Sequence, residues 1–293
     1  MKIQYKCLPC LVNQAIKVAD MTNAPNKDLL LKKVFATLSG IDFEQTTPEL
    51  VGEIFQLVKA QLDCNDPYLE TRTYYNKLFL EQSKEILKKI DASTSPFETS
   101  IKYAIIGNII DFNPIHNHTT EQIMEWFDKA DELSLTISHT QKMLSDIKQA
   151  KTLLYLGDNC GEICLDRLLI EKIKALNPEL HIYFGVRGEP VVNDCIEDDA
   201  YFVGLDQYAT IINNGDYSLG TVLPRTSDAF KAVYNSANMI ISKGQANYES
   251  LSEALDKNIY FLLMTKCDLI ADDIGVPAKS LICLNNQLGT SNV

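Results

Sequence analysis

The chain has 293 residues, 46% of them hydrophobic, enough to bury one large core or two ordinary ones and too apolar for a disordered protein. Its formal net charge of −12, from 27 Lys and Arg against 39 Asp and Glu, speaks against non-specific nucleic-acid binding, because an acidic surface gains nothing by displacing the counterions of a polyanion. No run of about 18 apolar residues is present to span a bilayer, and the opening MKIQYKCLPC lacks the apolar stretch of an export signal. A cytoplasmic protein with no membrane partner is expected, its eight cysteines reduced and mostly buried as small hydrophobes.

The first half reads as helices. In TTPELVGEIFQLVKAQL, Thr47 is placed as the N-cap and Pro48 at the first helical position, with Leu50, Ile54, Leu57, Val58 and Leu62 on one face. LVNQAIKVAD, LLLKKVFATL, TYYNKLFLEQSKEILKKI, SIKYAIIGNIIDF and TEQIMEWFDKADEL carry similar patterns, and no strand is predicted before Lys151. The texture then changes to short apolar runs separated by helical patterns: TLLYLGDN, HIYFGVRG, ATIINNG, NMIISKG and IYFLLMTKC. Strands covered by helices on both faces read this way. The expected fold is α/β, with a helical N-terminal domain over 1–149 packed on a Rossmann-like domain over 150–293 that has a mainly parallel sheet. No Pro, Gly or Ser-rich linker separates the two.

Ligands of open parallel sheets bind beyond the carboxyl ends of the strands. The first run ends in Asp158, Asn159 and Glu162, and the second leads into Arg187, Asn193 and Asp194. The fourth ends in Lys243, Gly244 and Asn247, and the fifth in Lys266. Asp158, Asn159 and Asp194 are hard oxygen donors that suit Mg²⁺ or Mn²⁺ with positions left for water and substrate. Asp158 alone reads equally well as a helix cap, and the second acidic cluster one βα unit later favours the ligand. A single Lys243 would be an ordinary solvated lysine, but Gly244 after it lets backbone N–H groups approach an anion beside its charge. Arg187, in VRGEP, looks like an exposed turn arginine. A divalent cation with Lys243, helped by Arg187 or Lys266, would draw an anion into an acidic protein, and phosphate is the natural one. Cys160 is expected to turn towards the core.

GDNCGEICLD, VRGEPVVNDCIEDDA, SKGQANYESL and FLLMTKC, with AIIGNIIDF in the helical half, resemble the damage-control phosphatases, the metal-dependent family known as domain of unknown function 89. The CLPC at residues 7–10 is similar to the N-terminal cysteine pair of a microbial subfamily. This resemblance implies hydrolysis of small phosphate esters, such as sugar phosphates or damaged phosphorylated metabolites and cofactors, with Mn²⁺, Co²⁺, Ni²⁺ or Mg²⁺. Carried over by position, the metal ligands fall on Asp158, Asn159 and Asp194, and a phosphate-contacting lysine falls on Lys243. Asn247 and Glu249 lie in the matching GQANYE segment. Asn108 and Asp111 match the GN..D pattern, for which a buried polar pair within a helix is the alternative. The strand-end reading and the resemblance together make Asp158 and Lys243 the catalytic candidates; Arg187, Asn193, Gly244 and Lys266 from the former, and Asn247, Glu249, Asn108 and Asp111 with the latter, are the substrate-binding ones. Cys160 stands where many relatives have a small residue.

Two chemistries stay open: a cation-activated water that attacks phosphorus in line, or Asp158 itself as nucleophile through an aspartyl-phosphate. A rival reading, an S-adenosylmethionine-dependent carboxyl methyltransferase, wants a glycine-rich loop after the first strand, and GDNCGE offers only Gly161 between its acidic groups. A non-enzymatic rival is a metal or redox module on Cys7 and Cys10. Structural zinc needs four ligands, and the only other close pair is Cys160 with Cys164. A thioredoxin-like redox pair belongs at the start of a helix that follows a strand, and KIQY is a short strand at best. The cysteine pair is expected to lie outside the strand-end site.

Overall fold

The structure, a computed structural model, describes residues 1–107, 125, 127 and 133–289. Five helices open the chain: α1 (Leu8–Met21), α2 (Lys27–Leu38), α3 (Thr47–Leu62), α4 (Leu69–Ala92) and α5 (Pro96–Ile106). The cap of α3 is Thr46 rather than Thr47. The Thr46 hydroxyl accepts the Glu49 N–H at 3.3 Å, and Glu49 Oε2 accepts the Thr46 N–H at 2.7 Å. This reciprocal box needs an acid three residues after the cap, a spacing that TTPE offers only from Thr46.

Among the described residues one sheet follows, in the order β1-β7-β6-β5-β2-β3-β4. Its strands are β1 (Ile137–Ser138), β2 (Thr152–Leu156), β3 (His181–Val186), β4 (Thr210–Asn213), β5 (Met239–Lys243), β6 (Ile259–Met264) and β7 (Leu281–Asn285). Neighbouring strands pair in parallel except β6 with β7, which run antiparallel. All five strands read from the sequence are present, so the mixed α/β fold with a mainly parallel sheet stands. Two were missed. β1 precedes Lys151, against the expectation of no strand there, and its two residues are too few to show a period. β7, from SLICLNN, returns antiparallel along β6. β1 also lies before the expected division at Gln149.

Helices α6 (Thr140–Gln149), α7 (Glu162–Leu176), α8 (Glu197–Phe202), α9 (Asp228–Ser236), α10 (Gly244–Leu251) and α11 (Asp268–Ile274) alternate with the strands. Successive strand residues point to opposite faces. Leu153 and Tyr155 accordingly share one core with Ile163 and Leu169 of α7 and with Ile101 and Ile105 of α5. Leu154 and Leu156 face the other way, onto Phe230 and Tyr234 of α9 and Tyr248 of α10. Helices α1, α2 and α3 make a separate small core, which Val191 joins from the loop after β3. From β2 the chain winds out to β3 and β4, then crosses back to β5 and β6 on the other side of β2. The switch point therefore lies between the carboxyl ends of β2 and β5, where a crevice opens in such sheets. Among the described residues no helix is long and apolar enough to cross a membrane.

Candidate active site

Strand β2 runs into Gly157, Asp158 and Asn159, and this segment pairs with the loop after β3. Cys195 N–H donates to the Asp158 carbonyl at 2.8 Å and Cys160 N–H to the Asn193 carbonyl at 2.9 Å. That short ladder sets Asn159 against Asp194. Its close approach requires a glycine at 157, since a Cβ there would lie 2.8 Å from both the Cys195 sulfur and the Phe184 ring. Asp194 follows a tight turn in which Val192 holds a left-handed φ of 47°, a costly conformation for a β-branched residue.

The two acids are buried, Asp158 at 5% and Asp194 at 2% exposure. Arg187 is no exposed turn residue, because it is fully buried beside them. Its Nε donates to Asp194 Oδ2 at 2.6 Å, Nη2 lies 3.8 Å from Asp158 Oδ1, and Nη2 also reaches the Gly157 carbonyl at 3.3 Å. Burial alone would lower the Arg187 pKa, but Asp194 and Asp158 outweigh it and hold the guanidinium charged. One arginine does not neutralise the cluster. Burial, followed by repulsion from Asp194 and Glu162, pushes Asp158 up to about 8 against the pull of Arg187 and Lys266. Asp194 is also raised, its burial prevailing over Arg187. Among the described residues no three His, Cys, Asp or Glu side chains gather in a metal-holding group, so the set here is two carboxylates and the Asn159 amide.

Lys243 sits elsewhere than the sequence suggested. It is fully buried, and its ammonium donates to Glu162 Oε1 and Asp166 Oδ1, both at 2.5 Å, and to the Ala104 carbonyl at 2.8 Å. Three donors with three protein acceptors leave none for a phosphate. The physical reason is its depth: a buried ammonium is held by carboxylates, and both lie on the inward side of α7. The pairing with Asp166 and Glu162 overcomes the burial that would lower its pKa and raises it instead. Tyr155 Oη completes the group by donating to Asp166 Oδ1 at 2.7 Å. Glu162 Oε2 accepts from Asn159 Nδ2 at 3.0 Å, and the same nitrogen donates to Asp158 Oδ2 at 2.8 Å. A hydrogen-bonded chain thus runs from Tyr155 through Lys243 to Asp158. Asp166 and Tyr155 were missed, although two acids four residues apart on the apolar face of GEICLDRLL are a legible signal. Cys160 does turn into the core.

The remaining candidates divide by exposure. Asn247 is fully buried, donating to the carbonyls of Lys243 at 2.7 Å and Gly157 at 3.1 Å and accepting from Thr221 Oγ1 at 2.8 Å. Those bonds tie β2, β5 and the loop after β4 together. Asn193 donates to Asn159 Oδ1 at 2.8 Å. Gly244 has φ 76° and lies under the Asp158 carboxylate. Glu249 and exposed Lys266 line a cavity of about 610 Å³ together with Val192, two residues before Asp194, and Leu219, next to Gly220. Gly220 N–H in turn reaches Asp194 Oδ2 at 3.5 Å. Burial pushes Glu249 up to about 7, eased only by the Met1 ammonium. Cys7 and Cys10 line this cavity too, which corrects the expectation that they lie apart from the strand ends. The start of the chain is held there by the Met1 ammonium, which donates to the Glu249 carbonyl at 2.7 Å, and by Ile3 N–H, which donates to the Gln45 carbonyl at 2.8 Å, and nothing in CLPC itself marks that. Asn108 and Asp111 lie outside the described residues.

Known proteins resemble this chain over nearly its whole length. The family model for the damage-control phosphatase ARMT1-like domain matches residues 3–282. A damage-control phosphatase of Pyrococcus horikoshii, PH1575, is 31% identical, covering 98% of this chain and 99% of its own. One from Archaeoglobus fulgidus is 30% identical over 96% of this chain and 98% of its own. The crystal structure of PH1575, described as a DUF89 family protein, superposes with a TM-score of 0.91 at 30% identity, covering 98% of this chain and 99% of that one. The chain belongs to the damage-control phosphatase family with the ARMT1-like domain.

Proposed function

We propose that the protein is a metal-dependent phosphomonoester hydrolase acting on small phosphate esters, such as sugar phosphates or damaged phosphorylated metabolites, in the cytoplasm. The carrying observation is the buried Asp158, Asn159 and Asp194 cluster at the β2–β5 switch point, in a chain whose relatives are named damage-control phosphatases. Its eight free cysteines suit a reducing compartment. The CLPC motif supports a place in the subfamily with an N-terminal cysteine pair.

The cluster fits a divalent cation. Its donors are hard oxygens, and burial, with repulsion from Asp194 and Glu162 behind it, pushes Asp158 up to about 8, a penalty that a bound cation would relieve. Asp158, Asn159 and Asp194 would hold Mn²⁺, Co²⁺, Ni²⁺ or Mg²⁺, which when bound would polarise a phosphoryl oxygen and activate water. Arg187 fixes the Asp194 carboxylate by its 2.6 Å bond, and Gly244 leaves room for that of Asp158. Lys266 supplies an exposed cation at the cavity and acts on Asp158, so we assign phosphate attraction to Lys266. Lys243 keeps Glu162 in place, and Glu162 orients Asn159. The methyltransferase rival gains no glycine-rich loop, as the turn after β2 is filled by Asp158 and Asn159.

The test is a screen of phosphate esters with each of the four cations before and after chelation. Hydrolysis that disappears on chelation and returns with one of the cations is expected. Turnover that survives complete metal removal would count against the cation assignment.

A further inference from the structure

The motif that phosphate-ester hydrolysis leaves unused is Cys7-Leu8-Pro9-Cys10. Cys7 has right-handed helical angles, φ −82° and ψ −21°, and opens α1, in whose first turn Cys10 lies. In helical geometry, Cα atoms three residues apart are separated by about 5 Å. That falls within the roughly 4.4–6.8 Å at which two cysteines join without backbone movement. Residues at this spacing share one face of a helix. Solvent reaches both: Cys10 is exposed and Cys7 half-buried, whereas Cys160, Cys164, Cys195 and Cys283 are buried. The pair also lines the 610 Å³ cavity together with Lys266 and Glu249, so a bond between the two sulfurs would reshape its wall. Cys267 lines the same cavity, yet among the described residues no three such side chains form a metal-holding group, and structural zinc wants four ligands.

We propose that Cys7 and Cys10 are a reversible dithiol–disulfide pair, oxidised by low-molecular-weight disulfides, whose oxidation state sets the affinity of the cavity for its phosphate ester. The last clause rests on the phosphatase reading. One thiolate of the pair attacks a sulfur of the incoming disulfide, whose S–S bond breaks and whose departing half takes up a proton and leaves as a thiol. The other thiolate then attacks the mixed disulfide and releases the second half as a thiol. Two electrons pass from the cysteines to the incoming disulfide, and their two protons end on the released thiols.

The experiment equilibrates the full chain in buffers of stepped oxidised-to-reduced glutathione ratio, traps free thiols by alkylation, and maps disulfides by mass spectrometry. Oxidation is expected to remove about 2 Da and to protect two thiols from alkylation, both mapped to Cys7 and Cys10 and recovered with dithiothreitol. Cys10→Ser stops at a glutathione adduct on Cys7, while Cys64→Ser, altered in a groove on the helices, forms the bond as the wild type does. KM for a phosphate ester should differ at least about threefold between the two states, with kcat changing less, and Cys10→Ser should lose that difference. Alkylation of both thiols at every ratio, a disulfide mapped to another pair, or an identical KM in the two states overturns the proposal. Mapping reads the pair even if no ester is turned over, so a failed phosphatase reading is distinguishable from a failed redox one.

Discussion

The Asp158 carboxylate rests directly on Gly244, so that a methyl group at residue 244 would fall 1.9 Å from Asp158 Oδ2. Gly244→Ala therefore displaces the acid, and its left-handed φ adds strain of about 1 kcal/mol for any other residue. The expected outcome is a loss of kcat/KM of about 100-fold or more, with a lowered melting temperature. Steady-state kinetics beside a thermal melt checks it, and wild-type turnover would remove Asp158 from the chemistry.

Lys243→Met tests where that lysine acts. Removing one partner of a buried pair leaves carboxylates without compensation and costs about 3–5 kcal/mol, so the variant should be strongly destabilised in urea unfolding. Adding Glu162→Gln and Asp166→Asn should restore much of that loss. A phosphate-holding lysine predicts the opposite pattern, a stable variant with a raised KM.

Asp158→Ala and Asp194→Ala should each lower kcat by more than tenfold, that is, by more than about 1.4 kcal/mol of transition-state stabilisation, in a folded protein. Calorimetric titration with Mn²⁺ should show weakened binding in both. Retained affinity and turnover in either would break the ligand assignment.

Glu249 provides a pH test away from the proposed ligands. Its folded pKa of about 7 stands above the ordinary glutamate value, so ionising it costs stability only in the folded state. Stability is fully present below about pH 4.5, declines as pH rises through 7, and stays reduced above that. Glu249→Gln should thus gain up to roughly 3 kcal/mol over wild type at pH 8 and nothing at pH 4. Urea unfolding at the two values measures it, and an equal gain at both would point to packing instead.

The five apolar runs after Lys151 and the polar residues that end them were legible, since buried parallel strands have a distinctive composition and their carboxyl ends mark the crevice. Side-chain direction was not. Lys243 and Gly244 are adjacent in the chain, yet the ammonium turns inward to α7 while the glycine faces Asp158, and only the completed packing decides that. Arg187 looked like a turn residue because its partners lie 7 residues ahead and across the sheet. The cysteine pair's position depends on long-range contacts that set the chain start beside Glu249 and Lys266, for which no local pattern exists.

Asn76 of α4 accepts the Gly161 N–H at the start of α7 at 2.6 Å and donates to Asp199 of α8 at 2.8 Å. Arg72, one turn earlier, pairs with the same aspartate at 3.1 Å. The helical half therefore holds the two crossovers that carry Asp158 and Asp194. A fragment cut at Gln149 would strip both crossovers of their buried partners, so the halves are not interchangeable modules, and a chimera would have to carry α4 along with the strands it serves.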